Sequence, residues 1–237
     1  MEVCGGHTMA IQRFGIPGLL RSDIHLLSGP GCPVCVSPVG FIDHAIALSR
    51  KPEVLIATYG DLIRVPGSTS SLEKERAEEA DVRMVYSILD ALVLAKQHPD
   101  REIVFPAIGF ETTAPATAAG LLRAKEQQLS NFSILSAHKT MQPALHALSG
   151  EGIPIQGYIA PGHVSVITGT SIYRQIPERF GLSVVVAGFE PLDLLQTIYM
   201  LIQQRRHNRP GVEIQYRRAV KEEGNLKAQA LMNKVFK

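Results

Sequence analysis

Short apolar runs rich in β-branched residues recur along the chain. Each is closed by glycine, proline or a polar cluster and followed by a longer segment of helical periodicity. Ile24–Ser28, Val54–Thr58, Val82–Tyr86, Ile103–Ile108, Phe132–Ser136, Ile155–Ala160 and Ser183–Ala187 predict strands. Phe41–Ser49, Ser71–Glu79, Ile88–Gln97, Pro115–Gln127, Met141–Leu148, Ser171–Arg179 and Pro191–Arg206 predict helices. The strand runs are apolar throughout rather than alternating, as in strands buried on both faces, and so predict an α/β protein with parallel sheet covered by helices. Seven strands suffice for one sheet. If there are two units, the HisProAspArg turn at 98–101 is the expected break, dividing the chain into 1–100 and 101–237.

The polar residues fall at one end of these runs. Ser28 leads into GlyProGlyCysProValCys, Thr58 into TyrGlyAsp and Ile108 into GlyPheGluThrThr. Ser136 leads into AlaHisLysThr, Ala160 into ProGlyHisVal and Ala187 into GlyPheGluPro. In open α/β sheets ligands bind beyond the carboxyl ends of the strands, so this placement predicts a shared cleft there. GlyPheGlu occurs twice, at 109–111 and 188–190, an echo that fits either an internal duplication or coincidence.

Composition narrows the function classes. The 237 residues are 45% hydrophobic and 19% charged, enough apolar content for a packed core. Net charge is +2 with the basic residues scattered, which excludes the electrostatic footprint of a nucleic-acid binder. No apolar run reaches bilayer length, and the N-terminal MEVCGGHT lacks the layout of a signal peptide. The expectation is a soluble cytoplasmic protein with no nucleic-acid or membrane partner. No P-loop, no GxGxxG after a strand and no GxSxG elbow is present.

Candidate chemistry centres on the cysteines. Cys4, Cys32 and Cys35 all lie in Gly/Pro-rich segments, where side chains are displayed rather than packed into a core. Cys4-Gly-Gly-His7 can present thiolate and imidazole to one ion, a donor pair suited to iron, zinc or copper. Thr8 reads as the N-cap of the helix that follows, whose positive end would stabilise the thiolate. Cys32-Pro-Val-Cys35 fits a redox dithiol, half of a metal site, or inert residues. Glu111, with Thr112 and Thr113 as candidate caps, is either part of a well-made helix start or a carboxylate turned into the strand-end cleft. His138 and His163 directly follow predicted strands. Asp61 and Arg64 fit a salt-bridged surface loop or a ligand contact.

Together, MEVCGGHT (1–8), GPGCPVC (29–35), YGDLIRVPG (59–67), GFETTAPAT (109–117), APGHVS (160–165) and VAGFEPLDLL (186–195) resemble the HypD family of [NiFe]-hydrogenase maturation factors, in order along nearly the whole chain. The resemblance implies two Rossmann-like α/β units facing a cleft, and a scaffold on which the Fe(CN)2CO unit is assembled. It implies HypC and HypE as partners, the latter delivering cyanide, and indirectly the hydrogenase large subunit. Cys4 would ligate iron jointly with a HypC cysteine, with His7 as ligand or neighbouring donor. Cys32 and Cys35 would be the thiol pair relaying electrons, and Glu111, Thr112, Thr113 and His163 match further cleft motifs. The family's [4Fe–4S] cluster takes four cysteines, and no cysteine follows Cys35, so that cluster is not expected from this chain. Family members begin upstream of Met1 and continue past Lys237, so the chain reads as a segment of a longer protein. Two alternatives are a thiol–disulfide oxidoreductase using Cys32 and Cys35, and a zinc module using Cys4, His7, Cys32 and Cys35.

Overall fold

The structure, a computed structural model, describes residues 1–150 and 152–236. Contacts divide the chain into two compact units, Met1–Cys32 with Thr140–Gln229, and Pro33–Lys139 with Ala230–Lys237. The chain thus changes unit at 32/33, 139/140 and 229/230, and not at the 98–101 turn. The reason is strand pairing. The strand before that turn and the strand after it are neighbours in one sheet, Val54 opposite Glu102. Asn131 ties the turn down, its Nδ2 donating to the carbonyls of Ala95, His98 and Arg101.

Residues 1–32 supply helix α1 (Gly5–Arg13) and a 3₁₀ turn at Ile16–Leu19. Next come α2 (Val39–Ser49), β1 (Val54–Thr58), α3 (Gly60–Ile63), α4 (Leu72–Ala77) and β2 (Val82–Met84). They are followed by α5 (Ile88–Gln97), β3 (Glu102–Gly109), α6 (Ala114–Glu126) and β4 (Phe132–His138). The remaining elements are α7 (Met141–Gly150), β5 (Gly157–Pro161), α8 (Gly162–Thr168), α9 (Gln175–Phe180), β6 (Ser183–Ala187), α10 (Pro191–Arg206), β7 (Val212–Ile214) and α11 (Leu226–Val235). The fold is α/β with two parallel sheets flanked by helices. Among the described residues no helix is long and apolar enough to cross a membrane.

The unit built on Pro33–Lys139 has strand order β2-β1-β3-β4, all parallel. Alternate residues of its central strands feed opposite faces. Val54, Ile56, Val104 and Ile108 pack with Phe41, Ile42, Ile46 and Leu72 on one face. Leu55, Ala57, Ile103 and Phe105 pack with Ile88, Ala91 and Ala95 of α5 on the other. A Ser87–Asp90 capping box starts α5 and satisfies its first N–H groups. Strand order reverses between β1 and β3, so the segments after them, Tyr59–Asp61 and Gly109–Thr113, flank the topological switch point.

The other unit has order β5-β6-β7, again parallel. Residues 1–3 lie along β5, with Ile159 N–H donating to Met1 O at 2.9 Å. The segment 27–29 lies along residues 1–3, with Gly29 N–H donating to Glu2 O at 2.7 Å. The predicted strand Ile24–Ser28 is therefore reduced to a single bridge, Glu2 to Ser28. Ala10, Ile11, Ile16, Ile159, Ala187, Leu194 and Ile198 form the core where α1 and α10 cover the sheet.

Candidate functional site

Cys4 sits where α1 begins, held from two sides. It is the N-cap of α1, in extended conformation, and is buried. The helix thus starts four residues earlier than a Thr8 cap would place it. Thr8 is inside the helix, and its hydroxyl donates to Glu2 Oε1 at 2.5 Å and to Cys4 O at 3.3 Å. Buried Glu2 also accepts the Cys4 N–H at 2.9 Å, so one carboxylate fixes the backbone on both sides of the thiol. Gly31 lies against Cys4 so closely that a Cβ there would overlap its backbone N and Cα. At Gly6 a Cβ would stand 3.5 Å from Sγ and 3.3 Å from the Phe189 ring, so the glycine keeps the space beside the sulfur clear.

Burial pushes the Cys4 thiol up from its ordinary pKa. The backbone N–H groups of His7 and Gly6 pull the other way, while the Glu2 charge adds to the rise. The thiol is therefore protonated at neutral pH until a cation or base takes its proton. Sγ lies 3.8 Å from Nε2 of His163, within reach of a thiol–imidazole hydrogen bond.

The two imidazoles share one wall. His7 stacks on Phe189 at 4.6 Å between ring centroids, and His163 stacks on the same ring at 5.1 Å. His7 Nε2 lies 3.0 Å from the Gly188 carbonyl, which can only accept, so Nε2 carries the proton. Nδ1 of His7 then holds the lone pair, and it is buried with no hydrogen-bond partner. Burial lowers the pKa of His7 to about 4 and also lowers that of His163, so both rings are neutral at pH 7. The sequence paired Cys4 with His7. The structure brings His163, from a strand end far along the chain, to the sulfur, and turns the His7 ring onto Gly188 O and Phe189.

The other unit carries its own polar edge at the switch point. Gly109 adopts φ +148, and a side chain there would run into Thr113. Thr113 is the N-cap of α6 but makes no capping bond. Its hydroxyl instead donates back to the carbonyls of Phe110 (3.2 Å) and Ile108 (3.4 Å). Glu111 is buried beside half-buried Thr112, whereas Glu190 of the second GlyPheGlu is exposed and caps α10. The two copies thus occupy like places, strand end into helix, with different work for the carboxylate. His138 bonds Thr117 Oγ1 at 3.0 Å through Nε2 and Gly109 O at 3.3 Å through Nδ1, bracing this turn.

Pro33–Ser37 forms a turn before α2, closed by the Ser37 hydroxyl donating to Pro33 O at 2.8 Å. Cys32 is half-buried and closes the first unit. Cys35 is exposed, belongs to the second, and lines a cavity of about 490 Å³ with Val34, Ile42, Asp61 and Arg64. Arg64 pairs with Glu73 at 3.1 Å, not with Asp61. Among the described residues no group of three or more His, Cys, Asp or Glu side chains is placed to hold a metal.

An α/β scaffold with parallel sheets and polar side chains gathered beyond the strand ends, a buried cysteine among them, defines a class of proteins whose sites lie at the carboxyl edge of the sheet. The chain belongs to the HypD family, whose model, described as "Hydrogenase formation hypA family", matches residues 1–237. It is 52% identical to the hydrogenase maturation factor HypD of Rhizobium leguminosarum bv. viciae, over 100% of the chain and 63% of that protein. It is 50% identical to the hydrogenase expression/formation protein HupD of Azotobacter chroococcum mcd 1 and 48% identical to HypD of Escherichia coli (strain K12), in each case over 100% of the chain and 64% of the relative. The chain thus spans a little under two thirds of the length of these curated relatives.

Proposed function

We propose that the chain acts in [NiFe]-hydrogenase maturation as the scaffold on which the Fe(CN)2CO unit is assembled. HypC contributes a second thiolate, HypE delivers cyanide, and the finished unit passes to the hydrogenase large subunit, all in the cytoplasm. The observation that carries this reading is Cys4, a buried thiol at a helix start with the His163 imidazole 3.8 Å from its sulfur, and with His7, whose buried Nδ1 has no hydrogen-bond partner, stacked on the same Phe189 ring as His163. A soft thiolate with imidazole suits iron. An iron cargo that must take on exogenous diatomic ligands needs few protein donors and open positions, which is what one cysteine with a neighbouring His7 offers.

Iron is the substrate in this reading, and the chain's residues have separate tasks. Cys4 gives up its proton and binds the iron, with His7 as ligand or neighbouring donor. His163, with its Nε2 3.8 Å from the sulfur, receives the thiol proton. Cys32 and Cys35 supply reducing equivalents, and Glu111, Thr112 and Thr113 serve the second polar edge. The printed names of the relatives, hydrogenase maturation and hydrogenase formation, support this direction over a thiol–disulfide oxidoreductase.

The test is infrared spectroscopy of the chain co-purified with HypC from anaerobic cells that also supply HypE. Wild type is expected to show cyanide and carbon monoxide stretching bands, and Cys4→Ala to show neither. Equal bands in Cys4→Ala, with the variant folded, would overturn the role of Cys4.

A further inference from the structure

Behind the imidazole pair stands a polar cluster that the site as described does not use. Asp193, in the first turn of α10, is buried and receives both ends of the Arg218 guanidinium, Nη1 to Oδ1 at 2.7 Å and Nη2 to Oδ2 at 2.5 Å. Oδ2 also accepts the Glu190 N–H at 3.2 Å, the return half of the capping box that starts α10. Gln215 donates from Nε2 to Asp193 Oδ1 at 2.8 Å and accepts the Gly188 N–H on Oε1 at 3.1 Å. The orientation of the Gln215 amide is thus fixed at both ends.

From this cluster two chains of contact lead to the site. One runs through Gly188, whose N–H is held by Gln215 and whose carbonyl accepts the hydrogen bond of the His7 Nε2–H. The other runs through rings. The Arg218 guanidinium lies over Tyr216, 4.5 Å from its centroid, and Tyr216 meets Phe189 edge-on at 6.2 Å. Phe189 is the ring on which both His7 and His163 stack. Space is cleared for this arrangement, since a Cβ at Gly188 would overlap Asp193, and one at Gly162 would stand 2.6 Å from both Tyr216 and the Ala187 carbonyl. Backbone anchoring completes it, with the N–H groups of Gln215 and Tyr216 both donating to Val186 O at the end of β6.

We propose that Gln215, Tyr216 and Arg218, fastened to Asp193, are positioning residues for the Cys4 site. They hold the Gly188 carbonyl where it selects the Nε2–H tautomer of His7, and they hold Phe189 where it sets the planes of both imidazoles. The lone pair of His7 is thereby confined to Nδ1, and the His163 ring is kept beside Cys4 Sγ. The inference deepens the proposed iron site and rests on that reading for its functional meaning. Its geometric content is testable without iron.

The experiment is long-range ¹⁵N–¹H correlation spectroscopy of the full chain, iron-free and labelled at histidine, at pH 7, paired with the alkylation rate of Cys4. Wild type is expected to show His7 as a single Nε2–H tautomer. Gln215→Leu is expected to turn that signal into a mixture of tautomers and to raise Cys4 alkylation several-fold, with Cys35 in the same chain as reference. Arg218→Met, at a half-exposed side chain, is expected to move both readouts in the same direction and decides the matter if Gln215→Leu does not fold. A lowered melting temperature with an unchanged tautomer and alkylation rate in the folded variants would overturn the proposal. Wild type that shows the single tautomer yet binds no iron at Cys4 would overturn the iron reading and leave the positioning role standing.

Discussion

Replacing Asp193 by Asn tests the physical basis of the site's framework. The carboxylate is buried, and the bonded Arg218 guanidinium, followed by Gln215 and the Glu190 N–H, holds its pKa down at about 2 against an ordinary 3.8. A depressed carboxylate pKa stabilises the folded state above the unfolded pKa, and the contribution is lost as pH falls through the folded one. Nearly two pKa units correspond to about 2 kcal/mol at pH 7. The half-exposed Arg218 side chain argues against any larger figure. In urea unfolding this is a midpoint lowered by roughly 1 M for a slope of about 2 kcal/mol per M. At pH 3, midway between the two pKa values, about half of the difference between wild type and Asp193→Asn should remain, and it should fade further toward pH 2. Other carboxylates titrate equally in both proteins and cancel. A difference below about 0.5 kcal/mol at pH 7, or one that does not change between pH 7 and pH 3, would refute the reasoning.

Three further expectations rest on separate contacts. Gly31→Ala should cost about 3 kcal/mol or more in urea unfolding, because its Cβ overlaps the Cys4 backbone and neither segment is a flexible side chain that can yield. A cost under about 1 kcal/mol would mean that the two segments are not in contact. Iodoacetamide at pH 7.5 should label exposed Cys35 well before buried Cys4, whose thiol is raised by burial, and peptide mass spectrometry over time reads the order directly. Arg50→Ala should lower the urea midpoint of the Pro33–Lys139 unit, since buried Glu75 loses both guanidinium bonds at 2.8 Å. Because Arg50 holds the Glu75 pKa at about 2, this difference too should shrink as pH falls from about 4.5 toward 2.

The sheets were legible where apolar content was dense. Val54–Thr58 and Ser183–Ala187 are strands at the predicted residues, and Ile103–Ile108 lies wholly within β3, because fully buried parallel strands leave an unbroken apolar run. Edge elements left no such trace. Val212–Ile214 pairs on one side only and sits among charged residues, and α11 is amphipathic with little buried surface. Ile24–Ser28 is apolar enough for a strand but meets only residues 1–3, so a single bridge forms. Ser171–Arg179 breaks into a 3₁₀ turn and α9, with Pro177 in the first turns of the latter.

At the site, Cys4, His7 and His163 were visible as residue types at strand ends and turns. The contacts that organise them were not, because Gln215 and Arg218 lie outside every motif, and Glu2 and Phe189, though inside MEVCGGHT and GlyPheGlu, carry no signal of which side chain they meet. A signal did exist for Asp193, three residues after Glu190 and next to the Pro191-Leu192 helix start, the spacing of a capping box.

Cys4 as the residue that holds the iron cargo is the reading on which the other proposed roles depend. Anaerobic Fe(II) titration of the chain with HypC present, followed by X-ray absorption at the iron edge, tests it most directly. Wild type should bind stoichiometric iron with a sulfur shell, and folded Cys4→Ala should lose both the iron and that shell. Iron retained by Cys4→Ala with an unchanged sulfur shell would contradict it.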